Sequence, residues 1–363
     1  MATPNNPAPN FPSLPQNVAA GVPARIIVTH RGVGRWLWWT GWLAFFIVLI
    51  ELLMANAAHK EYLHPDSPIQ ERYYSLAQDG TDKVAIISVE GVIMNAEGYV
   101  KSQIDRVRED KDVKAVVLRV NSPGGTVNGA DGIYHQLLKL NTPERKIPLI
   151  VSMGGIAASG GYYISMAVAG QPDTIYCEPT TWTGSIGVII PHYDIADLLE
   201  SWHIQDDSLV SHPLKQLGSP TKKFSPEMKE KEMAVLQGLV NDAFAGFKGV
   251  VKAGRPNLTD EQIKEVATGQ VFSANQAVAN GLVDQQGFLD DAIDRAIVLA
   301  KLDKAKTRAV KYHRPTSLVE GLLGGNAAAR SPGGEINLSA LLDLATPRAY
   351  YLWTFLPTAA VAN

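Results

Sequence analysis

The feature that constrains this chain most is a stretch rich in glycine and alanine, Met153 to Ser165, with the sequence MGGIAASGGYYIS. The run before it, Ile147 to Ser152, is apolar and typical of a strand, and the residues after it can continue as a helix. We therefore predict that Ser159 lies where a buried strand passes into a helix. A helix N-terminus offers free backbone N–H groups and a positive dipole end, which suit a developing oxyanion.

Two interpretations of this stretch are open. One is a nucleophile elbow with Ser159 as the candidate nucleophile, although Ala157 stands where the usual Gly-x-Ser-x-Gly pattern has its first glycine. The other is a Gly/Ala-rich helix that packs closely on a sheet, because small residues let two backbones approach each other.

Apolar runs of strand type recur along the middle of the chain and alternate with stretches of helical periodicity. This alternation predicts an α/β fold with a largely parallel sheet, in which chemistry gathers at the carboxyl ends of the strands. Strands are predicted at 83–93, 114–120, 147–152, 173–177 and 184–190.

The segment Asn121-Ser-Pro-Gly-Gly125 follows one predicted strand, and Ser159 follows the next. Because the ends of consecutive strands can lie side by side, the N–H groups of Gly124 and Gly125 are candidates for reaching the serine. The alternative is a simple tight turn, which such residues form routinely.

The amino-terminal end begins with a proline-rich arm, residues 1–35. Six prolines fall within 1–23, and the charged side chains of the arm are three arginines. We predict a disordered, extended arm.

The arm is followed by an apolar stretch at 36–58 that contains four tryptophans. As a helix it would reach about 34 Å, enough to cross a bilayer, and the tryptophans fit an interfacial belt. We predict a single-pass anchor in the inner (cell) membrane, with a cytoplasmic N-terminus and a periplasmic or extracytoplasmic catalytic domain. The alternatives are a cleaved signal peptide, since Ala55-Asn-Ala57 resembles a cleavage site, and a buried core helix.

The remaining chain divides into a linker at 59–82, one domain at 83–312, and a flexible tail at 313–363. The tail contains an apolar segment, 338–356, that is too interrupted to span a membrane and is predicted to be a docking or interface segment.

The composition excludes several classes of function. The formal net charge is −3, which gives no basic field for nucleic acid. Cys177 is the only cysteine, so no intrachain disulfide can form, and the eight histidines show no metal-ligand spacing. We predict neither a metal nor a cofactor.

A serine nucleophile needs a base to take its proton. His192, His203 and His212 follow the serine, but none has an informative context. Lys215 is the other candidate, because apolar residues and glycine surround it. A lysine serves as a base only when it is neutral, so burial must lower its pKa.

Four motifs occur together in one order along the chain. They are Asn121-Ser-Pro-Gly-Gly125, Ala157-Ala-Ser-Gly-Gly-Tyr-Tyr163, Thr183-Gly-Ser-Ile-Gly187 and Lys215-Gln-Leu-Gly-Ser-Pro220. The set resembles the signal peptide peptidase A family. That resemblance implies Ser159 as nucleophile, Lys215 as general base and Ser185 as a hydroxyl that helps to hold the lysine. It also implies an oxyanion hole of backbone N–H groups from Gly124 or Gly125 and from Gly160.

The resemblance further implies a fold shared with Clp protease and crotonase enzymes, and a membrane-anchored serine endopeptidase that works through a Ser–Lys dyad and an acyl-enzyme. Remnant signal peptides and other hydrophobic, extended peptides are the implied substrates. A single copy of the domain is similar to the short form of the family, which implies a homo-oligomeric ring. The alternatives are a crotonase-like acyl-CoA enzyme and a catalytically inactive membrane scaffold.

Overall fold

The computed structural model describes the chain in two units. The first unit contains helix α1, residues 38–52, and the second contains the other described residues. The described residues are 38–52, 69–142, 144–313 and 350–352.

Helix α1 carries large apolar side chains that are exposed, among them Trp38, Phe45 and Leu52. None of the helices within the described ranges is both long enough and apolar enough to cross a membrane. The predicted anchor at 36–58 extends past α1 at both ends. Those ends, together with the arm at 1–35, lie outside the described residues.

The second unit is built on a mostly parallel sheet, which confirms the predicted α/β class. In the described chain nine strands form this sheet in the order β1-β10-β2-β3-β5-β6-β9, and β7 and β8 extend it from β5. The pairs β1–β10 and β7–β8 are antiparallel. The strands are β1 (Gln70–Leu76), β2 (Asp82–Glu90), β3 (Val113–Ser122), β4 (Gly124–Thr126), β5 (Leu149–Ala158), β6 (Ile175–Cys177), β7 (Trp182–Gly184), β8 (Val271–Ser273), β9 (Gln285–Gln286), β10 (Thr307–His313) and β11 (Tyr350–Leu352).

Helices cover both faces of the sheet, so the central strands are buried on both sides, as parallel strands usually are. On β2, Val84 and Ile86 belong to the core formed with α9, whereas Ala85 and Ile87 belong to the opposite core. The remaining helices are α2 (Tyr99–Glu109), α3 (Val127–Leu138), α4 (Gly160–Ser165), α5 (Ala196–Ser201), α6 (Pro226–Gly254), α7 (Asp260–Val266), α8 (Ala274–Ala279) and α9 (Leu289–Ala300).

The structure differs from the predicted linker at 59–82, because β1 lies within it. This strand pairs with β10 at the sheet edge, and most of its residues stay exposed or partly exposed. It therefore lacks the apolar run by which the central strands were predicted. Its Glu71 carboxylate lies 2.9 Å from the ammonium of Lys83 on β2, which ties the edge strand to the domain.

The predicted strand at 184–190 is wrong in its position. Strand β7 ends at Gly184, and Ser185 has a φ of 51°, in the left-handed region that a strand cannot continue through. The apolar run after Ser185 suggested a strand, but the backbone turns there toward Gln270, whose C=O accepts the N–H of Ser185 at 2.7 Å.

Candidate active site

Ser159 occupies the turn between β5 and α4, as the sequence predicts. Its φ is 54° and its ψ is −115°, a strained conformation for a residue with a side chain, and it is 1% exposed. Two backbone hydrogen bonds hold it. The Ser159 N–H donates to the C=O of Gly184 at 2.7 Å, and the N–H of Tyr163 donates to the C=O of Ser159 at 2.8 Å.

Gly124 and Gly160 meet beside Ser159 so closely that a side chain would not fit. A Cβ at Gly124 would lie 2.7 Å from the amide nitrogen of Gly160 and 3.1 Å from the C=O of Ala158. Gly124 also has a φ of +100°, which disfavours any other residue. The strand ends that carry the two predicted motifs are therefore adjacent.

The two glycines of the Pro-Gly-Gly turn have different hydrogen-bond partners. The N–H of Gly124 donates to Ser122 Oγ at 3.1 Å, and its C=O accepts the N–H of Ile93 at 2.8 Å. The C=O of Ile93 accepts the N–H of Thr126 at 2.7 Å. Because backbone groups alternate in direction along a strand, the N–H and C=O of Gly125 face the opposite edge of β4, where β11 pairs. We call the groove between β4 and Ile189, in which β11 lies, the cleft. The sequence reasoning did not identify Ile93, which has no chemical motif around it.

Ser185 also lies close to Ser159. The residue pair Ala158 and Gly184 is in register between β5 and β7, so the two serines directly follow paired positions. Ser185 is 5% exposed. The structure thus brings together five of the residues proposed from the sequence: Ser159, Ser185, Gly124, Gly125 and Gly160.

Lys215 is not joined to this group. It lies exposed on the short 3-10 turn Pro213–Gln216, and within the described part of the chain its ammonium forms neither a hydrogen bond nor an ion pair. The loop that carries it is anchored to α6, because the N–H of Gly218 donates to the carboxylate of Glu232 at 2.6 Å. The expected burial of the lysine is therefore not present in the single chain.

The three histidines have no hydrogen bond to Ser159 among the described residues. The Nδ1 of His212 accepts the N–H of Leu214 at 3.2 Å and so caps the turn that carries Lys215. His203 is exposed and has a φ of 58°, and His192 is partly exposed.

Strand β11 lies in the cleft and belongs to the apolar segment 338–356. The sequence predicted a docking or interface segment there, but not the place where it binds. It pairs with β4 in antiparallel register, with Tyr351 opposite Gly125. The Tyr351 side chain is 2% exposed, and burial raises its pKa to about 12. Within the segment, only the high apolar content indicated a docking role.

Tyr163 lies on α4, one helical turn after Ser159, and its ring stacks on that of Tyr351 with 5.1 Å between centroids. Burial and the hydrogen bond that its hydroxyl donates to the Asp131 carboxylate at 2.7 Å raise the pKa of Tyr163, so the phenol stays neutral.

No group of three or more His, Cys, Asp or Glu side chains is placed to hold a metal ion within the residues described.

The chain is similar to several known proteins. A model of peptidase family S49 matches residues 141–303. The chain is 37% identical over 262 residues to a putative protease of Synechocystis, covering 72% of this chain and 90% of that protein. It is 37% identical to a putative signal peptide peptidase SppA of Enterococcus faecium, covering 69% of this chain and 73% of that protein. It is 39% identical to protease 4 of Salmonella typhi, covering 60% of this chain and 35% of that protein.

Proposed function

The chain belongs to peptidase family S49 and is a protease, and from this premise we propose that it is a serine endopeptidase with Ser159 as its nucleophile. The observation that carries the proposal is the turn at Ser159, where a residue with a side chain has a φ of 54° and a ψ of −115°. Such a conformation persists only where the surrounding structure holds it. In nucleophile elbows it projects the hydroxyl from the strand end, beside the first N–H groups of the following helix.

The proposed reaction proceeds through an acyl-enzyme. Ser159 Oγ attacks the carbonyl carbon of a peptide bond while a base takes its proton, and the carbonyl oxygen becomes an oxyanion. The N–H groups of Gly125 and Gly160 are the proposed donors, because that of Gly124 already donates to Ser122 Oγ. The amine product leaves with a proton, and water then hydrolyses the ester to release the acyl product.

Lys215 is the proposed general base, on the resemblance of its motif to that of the family. An amine accepts a proton only when it is neutral, so its surroundings must be desolvated. The turn Pro213–Gln216 is exposed in the single chain, and the dyad therefore requires that this turn be covered in the active enzyme. Ser185, buried beside Ser159, is the hydroxyl proposed to hold the lysine.

We propose that the chain forms a homo-oligomeric ring in which a neighbouring subunit covers the turn that carries Lys215. Large apolar side chains are exposed on the segment after β7 and on the first half of α6, and such surfaces mark interfaces in soluble domains. They include Tyr193, Trp202, Leu209, Met233, Val235 and Leu239.

Membrane attachment and substrate class are further parts of the proposal. The tryptophan-rich stretch at 36–58, with arginines before it, supports an inner-membrane anchor with the catalytic domain outside the cytoplasm. The relative from Enterococcus faecium is named a putative signal peptide peptidase. We therefore propose remnant signal peptides and other hydrophobic, extended peptides as substrates.

Hydrolysis of a quenched fluorescent peptide with an apolar, extended sequence tests the proposal. The Ser159→Ala variant should lose activity by at least about 1,000-fold, since removal of the nucleophile leaves only binding and oxyanion stabilisation. The matched control Ser201→Ala removes an exposed hydroxyl that donates to the C=O of Leu198, and it should keep full activity.

Two further assays, turnover of an acyl-CoA thioester and labelling by a fluorophosphonate, separate the two alternatives. A crotonase-like acyl-CoA enzyme would process an acyl-CoA thioester and leave Ser159 unlabelled by a fluorophosphonate. An inactive scaffold would neither hydrolyse the peptide nor process the acyl-CoA thioester. Full peptide hydrolysis by a folded Ser159→Ala variant would contradict the proposed nucleophile.

A further inference from the structure

Glu232 is a charged residue on the buried face of α6. It is 2% exposed, and Leu236, one helical turn further along the same face, is also buried. Within the described part of the chain the carboxylate of Glu232 forms no ion pair. Burial of a carboxylate without a counter-charge is costly, so a side chain that only filled this face would be apolar. The acidic group at this position therefore has a further role.

The partner of this carboxylate is the backbone of the segment that carries Lys215. The N–H of Gly218 donates to Glu232 Oε1 at 2.6 Å. Gly218 follows the turn Pro213–Gln216 by two residues and has a φ of +76°, in the left-handed region where glycine commonly ends a helical turn. The hydrogen bond thus holds the chain at the point where it leaves the turn.

Other hydrogen bonds of this segment join neighbouring residues, so they shape the turn without placing it on the domain. They are Lys215 N–H to His212 C=O at 2.9 Å, Leu217 N–H to Leu214 C=O at 3.2 Å, and Ser219 N–H to Gln216 C=O at 2.9 Å. The side chain of Gln216 adds no tie to the domain, because its Nε2 is buried and, among the residues described, has no hydrogen-bond partner. The bond from Gly218 to Glu232 therefore places the turn against α6.

Helix α6 connects this contact with the serine. Glu232 lies near its start, and 15 residues later Phe247, fully buried, packs with 5.1 Å between ring centroids on Tyr163 of α4, the helix that begins after Ser159. The two positions are about 22 Å apart along a single helix. One continuous element thus contacts both the helix that follows the nucleophile and the turn that carries the proposed base.

We propose that Glu232 is a positioning residue for the general base. Its carboxylate holds the N–H of Gly218, and this bond sets where Lys215, three residues earlier, places its amine when the turn is covered. Glu232 acts through Lys215 and not on the substrate. The inference rests on the proposed role of Lys215 as the base.

Peptide hydrolysis by the full chain tests the inference. Glu232→Leu removes the acceptor, so kcat should fall at least about 20-fold while KM stays within about twofold of the wild type, because a displaced base slows the chemical step and not binding. Glu232→Gln keeps an acceptor oxygen and should keep kcat within about threefold of the wild type. Equal kcat of Glu232→Leu and wild type, or an equal loss in both variants, would overturn the inference.

Two further variants control this comparison. Glu230→Leu changes an exposed glutamate on the opposite side of α6 and should keep kcat within about twofold of the wild type. Glu232→Asp serves if Glu232→Leu does not fold. It draws the acceptor back from Gly218 by one CH₂ group, and kcat should fall about fivefold. An unchanged kcat in this folded variant would also overturn the inference.

Coupling to Lys215 separates positioning from a general effect on the fold. In a Lys215→Ala background, Glu232→Leu should change the residual rate of fluorophosphonate labelling of Ser159 by less than about twofold, because the group that it positions is gone. A further loss of about 20-fold would show that Glu232 acts by another route and would overturn the inference. Undiminished labelling of Lys215→Ala alone would instead refute the proposed base, and the inference with it.

Hydrogen exchange at Gly218 provides a readout that does not depend on catalysis. Its amide should be protected in the wild type, in Glu230→Leu and in Glu232→Gln, and it should exchange at least about tenfold faster in Glu232→Leu. Because this readout needs neither Ser159 nor Lys215, it fails only if the contact itself is wrong. Unchanged exchange in Glu232→Leu would therefore overturn the inference while leaving the proposed function intact.

Discussion

The backbone around Ser159 explains the glycines on both sides of the cleft. Ser159 turns the chain at a positive φ, and its first helical neighbour, Gly160, then lies against Gly124 of the adjacent strand. No room remains for a Cβ between these two backbones. The same closeness brings the amide nitrogen of Gly125 beside Gly160, as an oxyanion hole with donors from both segments requires.

Substitution Gly124→Ala should therefore reduce peptide hydrolysis by at least about 100-fold, because the new Cβ would lie 2.7 Å from the Gly160 nitrogen and displace an N–H donor. The matched control is Gly98→Ala. Gly98 has a φ of +78°, but a Cβ there would meet no atom within 4 Å. The control should fold with a modest loss of stability and normal kcat/KM. Comparable activities of the two variants would contradict the close approach of Gly124 to the backbone of Gly160.

Ser159, Gly124 and Gly125 could be predicted because each lies in a local motif that follows a predicted strand, whereas Ser185 and Gly160 were implied by the resemblance to the family. The sequence did not predict Ile93 or Tyr351, since their roles come from contacts with residues distant in sequence. Lys215 remains a prediction, because its exposed turn does not contact Ser159 in the single chain.

At the scale of elements, Lys83 joins three parts of the domain. Its side chain is 8% exposed, and its ammonium lies 2.9 Å from the Glu71 carboxylate on β1 and 2.8 Å from that of Asp110, which follows α2. Burial alone would lower the pKa of Lys83, but the two hydrogen-bonded carboxylates raise it above its usual value. Burial alone would raise the pKa of Asp110, and the bond from Lys83 lowers it instead.

Substitution Lys83→Met should lower the free energy of unfolding by about 3 kcal/mol near neutral pH, because it leaves the partly buried Asp110 carboxylate without its ion pair and Glu71, among the described residues, with only Arg308 at 3.6 Å. The difference from the wild type should shrink as pH falls through the depressed pKa of Asp110, and again as pH rises through the raised pKa of Lys83. Urea unfolding of both proteins over a pH series measures this difference in the free energy of unfolding.

The exposed pair Lys231 and Glu227 on α6 offers a control, since its ion pair lies in water. Lys231→Met should leave stability nearly unchanged at every pH. Equal effects of the two substitutions would mean that the Lys83 contacts do not tie the edge strand to the domain.

The elements that were predicted well are those with strong local patterns. The sequence Ser225-Pro-Glu227 is typical of a helix start, with a serine cap and a proline at the first position, and the long helix α6 does begin at Pro226 with Ser225 as its cap. Strand β1 was missed because an edge strand needs little apolar surface, and the strand predicted at 184–190 failed because the left-handed backbone of Ser185 has no mark in the sequence.

For the whole molecule, the proposed ring and the proposed dyad depend on each other. The first half of α6 exposes Met233, Val235 and Leu239, and the loop that carries Lys215 is bonded to the same helix through Glu232. Packing of a second copy on this surface would remove water near the lysine. A variant that no longer assembles should therefore show less peptide hydrolysis as well as a lower mass of the assembly.

Substitution Leu239→Asp should lower the sedimentation mass of the detergent-solubilised full chain, because it puts a charge into the proposed interface. Peptide hydrolysis should fall in parallel. The control is Val298→Asp on α9, where the side chain is 63% exposed on another face of the domain. If Leu239→Asp keeps the mass and activity of the wild type, α6 does not form the interface.

The most direct test of the account is the pH dependence of Ser159 acylation by a fluorophosphonate, measured for wild type, Lys215→Ala and Lys231→Ala. We expect labelling of the wild type and of Lys231→Ala to rise with pH, because the base must lose its own proton before it can accept that of Ser159. Lys215→Ala should lose nearly all labelling at every pH. Undiminished labelling of Lys215→Ala would contradict the dyad and direct attention to the histidines, His212 first.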